Sequence, residues 1–396
     1  MALDDLDIRR RSVLTVGTAL AAATLAGARS ASATPSSAPD PGESDPTSAT
    51  ARRAMYLGTY TSDPAQGVGL AGYDPATGRP VSTGTVAGVA NPSFLALSGS
   101  HLYAVDEQAN GSVVAVSLAA RAHPAVLGSQ STGGSGPCHV SVHPGGGYLF
   151  SANYDSGSVA VHPINGDGSL GARSDLVQHT GSGPDRTRQD GPHAHMVLSD
   201  PRGGYVLAVD LGTDAVHSYR LDAASGRLAP VSRAQVSPGS GPRHLAFHPS
   251  GQFAYLVHEL GDAISVCRYD QGTGTLTPGR LQPTVPSGSP SDRRNYPAEV
   301  VVSPDGSFVY VSNRGHDSVA RFAVGGAGAS LTLLDAVPSG GSYPRHISLD
   351  PTATLLFAAN QNSDTVTSFR RDRQSGALTP TGESLRTPNP VCVLPA

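Results

Sequence analysis

The chain of 396 residues contains no lysine and no tryptophan, so all 27 of its basic side chains are arginine. Without an amine there is no Schiff-base chemistry and no phosphate-gripping P-loop lysine. Aromatic residues make up 5% of the chain, which favours a small-molecule site over a flat docking face rich in aromatic anchors. The formal charge of −4 comes with no basic cluster beyond the first residues, so nucleic acid is not an expected partner. Cys138, Cys267 and Cys392 are odd in number and lack metal-ligand spacing, and are read as three small buried hydrophobes. No long segment shows helical periodicity, and no run reaches the roughly 20 solidly apolar residues that span a bilayer.

What the chain does have is 47 glycines, 32 prolines and a repeat. The stretch GPRHLAFHPSGQFAYLVHELGDAISVCRYDQGTGTL, 241–276, reads as four short strands separated by turns. Copies begin at Pro92, Pro137, Pro192, Pro242, Pro297, Pro344 and Pro390, spaced 45 to 55 residues apart. Four strands per period of this length is the signature of an all-β propeller, here with seven blades. The last copy supplies one strand, while the segment from Arg53 has the later strands of a blade and lacks the first. The expectation is therefore that Val391 to Leu394 pairs with Met55 to Thr59 and closes the ring, leaving no open sheet edge.

The residues before the repeat form a separate region. Arg9-Arg10-Arg11-Ser12-Val13-Leu14, a mildly apolar run to Ala28 and Ala31-Ser32-Ala33 read as a twin-arginine export signal over 1–33. The Pro- and Ser-rich stretch 34–53 reads as a leader that buries nothing. The folded unit is expected over 54–396, secreted and monomeric, with no membrane span after cleavage.

Innermost strands of a propeller run the same way along the channel, so the residues after each leading proline form a ring at one mouth. They include His193, His195, Arg243, His244, Glu299, Arg345 and His346. The second strand returns to the same face, bringing Asp210, Glu259 and Arg314, with His316 just beyond. The opposite end carries His143, His248, Ser303 and Asp350, each before a proline in a turn, and turn chemistry accounts for them. Several arginines facing one cavity imply an anionic ligand, because a guanidinium grips carboxylate or phosphate bidentately.

At these residues the chain resembles the lactonase family of seven-bladed propellers, which includes 6-phosphogluconolactonase and the 3-carboxy-cis,cis-muconate lactonizing enzyme. The likeness rests on DRTRQDGPHAHMVLSDPRGGYVLAVDLGTDAV, GPRHLAFHPSGQFAYLVHEL, SPDGSFVYVSNRGHDSVARF and ANQNSDTV. It implies a catalytic set of His195, Arg243, Glu259 and Arg314, with His258 standing where the family usually has Asn. It implies no metal and no cofactor. Glu259 or His195 would be the general base, with Arg243 and Arg314 on the oxyanion or the substrate anion. His193, Asp210, His244, Glu299, His316, Arg345 and His346 would bind substrate. The leading expectation is an exported hydrolase of a sugar-acid or other carboxylic lactone. A muconate-type cycloisomerase and a non-catalytic binding propeller are the alternatives, since fold does not fix function.

Overall fold

A computed structural model describes residues 52–61, 67–120, 123–289 and 293–396. The export signal and nearly all of the leader lie outside these residues. Arg53 already opens the first strand, Arg53–Thr59, so the leader ends before it. Among the described residues no helix is long and apolar enough to cross a membrane.

The strands fall into seven antiparallel sheets, the blades of a propeller. In the fifth blade the outermost edge is split, with Thr275–Thr277 and Leu281–Pro283 both pairing with Ala263–Asp270. Ring closure follows the expected pairing: Pro390–Pro395 lies antiparallel to Arg53–Thr59, with Met55 opposite Pro395 and Leu57 opposite Val393. The late strand is thus the innermost one of the first blade.

Alternation along each strand sends apolar side chains to both faces of a blade, and each face packs on a neighbour. Seven hydrophobic clusters result, one per blade interface. At the closing interface Tyr73 and Phe357 meet edge to face, with ring centroids 5.0 Å apart and both side chains fully buried. Such a contact adds about 0.5–1.5 kcal/mol beyond the area each ring buries. All three cysteines are buried and unpaired, as expected of small hydrophobes. The turn residues at the far end also behave as expected. His143 Nδ1 accepts from the Gly145 N–H at 3.0 Å, and Asp350 Oδ1 from those of Thr354 and Leu355.

One device converts this scaffold into a site. Most innermost strands begin with a register shift, as between Pro137 and His139, Pro242 and Leu245, and Pro344 and His346. A bulge re-aims side chains, and here it lets two consecutive residues after the proline face the channel. In the fourth blade the shift moves the whole pattern. Ala194, not Pro192, sits opposite Asp210, where other blades place a proline opposite the end of the second strand.

Candidate active site at the channel mouth

The register sorts the polar residues into layers. Asn153, Asp210, His258, Asn313 and Asn360 all stand opposite the proline position. They are fully buried, and Asp210, His258 and Asn313 spend polar atoms on nearby segments. His258 bonds the hydroxyls of Ser240 and Ser265 at 3.0 and 2.9 Å, and Asn313 donates to the Thr284 carbonyl at 3.2 Å. The next residue turns to the mouth in five of the blades: Tyr60, Glu107, Tyr154, Glu259 and Arg314. Asp210 is therefore not a substrate-binding residue. Its carboxylate accepts from His179 Nδ1 at 2.6 Å and from the N–H groups of His193 and Thr213 at 2.9 Å each.

Glu259 is the centre of the mouth. Its Oε2 lies 3.0 Å from Arg243 Nε and 2.7 Å from an Arg314 terminal nitrogen, and its Oε1 lies 2.6 Å from Arg188. Three guanidinium groups on one carboxylate leave an excess of two positive charges. Burial alone would push the carboxyl up, but Arg314, Arg188 and Arg243 outweigh it and hold it well below the usual range. Burial, with Arg314 and Arg345 close by, draws Arg243 down to about 10. Arg243 also donates to the Ala298 carbonyl at 2.8 Å, and Arg314 to that of Tyr296 at 3.1 Å. The rings of Tyr296 and Tyr343 flank Arg314.

His195 stands at the same strand position as Cys138, Arg243 and Arg345. Its ring centroid is 5.1 Å from that of His244 and 5.5 Å from that of Tyr154. Burial, then Arg243 and His244, hold its pKa well below that of an ordinary imidazole, so the ring is neutral at pH 7. Cys138 Sγ lies 3.8 Å from His195 Nδ1, but burial raises the thiol and rules out a resting thiolate.

One layer deeper the channel is plugged. Phe94 packs on His139 with centroids 4.2 Å apart and meets His244 and His346 edge-on. Below Arg243, Glu299 Oε2 accepts from His244 Nδ1 at 2.9 Å and lies 3.4 Å from His346 Nε2. Burial raises the Glu299 carboxyl, partly offset by His346 and Arg243. The cavity above this plug, bounded by Tyr60, Ser93, Arg243, Glu299, Arg345 and Val391 among others, has about 10 Å³ of room. That is the scale of one water molecule. His244, Glu299 and His346 thus form the floor rather than the rim.

In the same layer as Arg243, Arg345 donates to the Tyr60 hydroxyl at 2.9 Å. That hydroxyl donates to Glu107 at 3.1 Å, and Ser93 also bonds Glu107. Burial raises the Glu107 carboxyl.

The other two expected binders lie elsewhere. His193 precedes its strand, stacks on Tyr154 at 4.5 Å and bonds the Tyr154 carbonyl at 2.9 Å, so it buttresses the rim. His316 bonds Ser318 at 2.7 Å in the turn beyond Arg314 and has no contact with the Glu259 cluster. Arg188 and Tyr60 are the mouth residues that the strand pattern missed. Arg188 lies in a segment outside the strands, and Tyr60 follows the second strand of the one blade whose first strand comes from the far end of the chain.

Outside the mouth, His179, Asp210 and His217 bring possible ligand atoms within 4.8 Å of one another. The two rings stack at 4.0 Å, however, and His179 Nδ1 is already bonded to Asp210 at 2.6 Å. His179 Nε2 is also engaged by the Tyr219 hydroxyl at 2.9 Å. The trio reads as packing.

The fold is a seven-bladed propeller, and its mouth gathers arginines around one carboxylate beside a neutral imidazole. The family model described as Lactonase, 7-bladed beta-propeller, matches residues 54–395. The chain belongs to that family and is a lactonase. It is 34% identical over 342 residues to the 6-phosphogluconolactonase of Bacillus subtilis, covering 85% of this chain and 97% of that protein. A protein of known structure from Lactobacillus plantarum is 35% identical with a TM-score of 0.81, over 87% of this chain and 100% of that one. The Pseudomonas aeruginosa periplasmic gluconolactonase is 31% identical with a TM-score of 0.80, over 87% of this chain and 99% of that one.

Proposed function

We propose that the protein is exported and hydrolyses a sugar-acid or other carboxylic lactone at this mouth. The observation that carries the reading is the Glu259 cluster, with its three arginines to one carboxylate. A lactone carbonyl develops negative charge as water attacks, and fixed cations in a dry site stabilise that charge strongly. Both Glu259 oxygens are taken up by guanidiniums, which leaves neither to receive a proton from water, and its part is to orient Arg243 and Arg314. His195, neutral and beside them, takes the proton from water as the oxygen bonds to the carbonyl carbon. The ring C–O bond then breaks, and the proton passes from His195 to the departing oxygen. The product is a hydroxy acid, which gives up its carboxyl proton to solvent and leaves a carboxylate facing the arginines. Export rests on the paired arginines and apolar run of residues 9–28, and is in keeping with a similar periplasmic enzyme.

A panel of aldono-, uronic and phosphorylated lactones, followed by acid release, tests the activity. His195→Gln is expected to lower kcat at least about a hundredfold while leaving the protein folded. A wild type inert on the whole panel, or a His195→Gln variant with wild-type rates, would overturn the reading. For export, Arg9→Lys with Arg10→Lys is expected to hold the protein in the cytoplasm on cell fractionation. Unchanged distribution would rule out the twin-arginine route.

A further inference from the structure

The three cations on Glu259 are not equivalent. Arg243 and Arg314 come from strands and have side chains 3% and 4% exposed, whereas Arg188 is 25% exposed. Two of the three are walled in, and the third opens to the solvent side of the mouth.

Arg188 reaches this place from the segment 179–193, which is tightly built. The Asp185 carboxylate accepts from the Thr187 N–H and hydroxyl at 3.0 and 2.7 Å, closing a compact turn. The Gln189 N–H bonds the Asp185 carbonyl at 2.6 Å, and the Gly183 N–H bonds the Gln189 carbonyl at 3.0 Å. The Gln189 side chain is fully buried and donates to the Leu211 carbonyl at 2.8 Å, pinning the turn to its blade. Gly212 allows the close approach, since a Cβ there would lie 2.0 Å from the Gly191 carbonyl oxygen. With Gln189 anchored inward, its neighbour Arg188 projects over Glu259, next to the Tyr154 hydroxyl at 3.5 Å. A rigid turn carrying a part-exposed guanidinium over a site already rich in buried cations does not serve to neutralise Glu259, which Arg243 and Arg314 already do.

We propose that Arg188 is the specificity-determining residue of the mouth, reading a second acidic group of the substrate, carboxylate or phosphate ester, while the lactone carbonyl lies over Arg243 and Arg314. The proposal rests on the lactone-hydrolase reading above and adds to it which residue selects the substrate. An incoming anion shares or displaces the Arg188–Glu259 contact, and the planar guanidinium fork suits both acids.

The test compares kcat/KM on three lactones: a neutral aldonolactone, one bearing a free carboxylate and one bearing a phosphate ester. Wild type is expected to prefer at least one acidic lactone. Arg188→Gln is expected to shrink that preference by about 10- to 100-fold, as loss of one charge-assisted hydrogen bond predicts. Arg188→Lys should retain part of it, because charge survives and the fork does not. The preference should also weaken with added salt in wild type more than in Arg188→Gln. Whichever acid loses more in Arg188→Gln identifies the group that is read. Equal loss on all three lactones would overturn the proposal, leaving Arg188 a mere support for Glu259. So would an active wild type with no preference for acids. Inactivity of the wild type on all three would instead remove the hydrolase reading, and this inference with it.

Discussion

Replacing Glu259 by alanine is expected to destabilise the fold by about 3–5 kcal/mol and to lower kcat/KM by about 10²- to 10³-fold. The stability loss comes from what remains. Arg243 and Arg314, each less than 5% exposed, would face one another with no counter-charge. Removing one partner of a buried ion pair leaves the other charge desolvated and unpaired, which costs far more than the pair contributed. The catalytic loss follows because the two guanidiniums would move apart, and preorganised charge is what the reaction uses. Glu259→Ala combined with Arg243→Met is expected to recover much of the stability and none of the activity. Urea unfolding and lactone hydrolysis measured on all three proteins check this. A Glu259→Ala variant as stable as wild type would mean that water or solute ions screen the cluster, and the account given for the mouth would fail.

Stability is also expected to fall by about 4 kcal/mol between pH 7.5 and pH 5 from two histidines alone. Burial draws His258 down to about 3 and, despite the nearby Glu299, His346 down to about 4. In the unfolded chain both titrate near 6.5. Above that pH neither state holds the proton and stability is level. As pH falls through 6.5 the unfolded chain takes up protons that the folded chain refuses, so each imidazole costs about 2 kcal/mol by pH 5. The loss continues until pH passes the folded values. His139, His195 and His244 are shifted in the same direction and add to it. Glu299, raised by burial, works in the opposite sense. Urea midpoints across this range should therefore drop, and His258→Asn should remove about half of the loss assigned to the pair. A flat profile would show that these rings are solvated or charged in the native state.

The parts of this molecule that repeat were legible in the chain, and the parts that break the repeat were not. Pro242 and Pro344 open their strands and Pro297 is the second residue of its own, so Arg243, Glu299 and Arg345 could be placed on the channel from spacing alone. The fourth blade departs because its strand begins two residues late, at Ala194, and a proline count cannot register a bulge. That slip made His193 look like a channel residue when it buttresses Tyr154. Asp210 misled for a different reason. It is one residue short of the mouth, and side chains of consecutive strand residues point opposite ways. A one-residue uncertainty was therefore enough to take a loop anchor for a mouth residue. Arg188 sat in view in DRTRQD, but its direction depends on Gln189 reaching Leu211, a contact between segments that no local pattern encodes.

Because Met55 and Pro395 lie side by side, the first blade waits for the last-made residues before it has a complete inner edge. Six blades can assemble as the ribosome proceeds, yet the circle locks only after synthesis has passed residue 390. Until then two unprotected edges are open to stray partners.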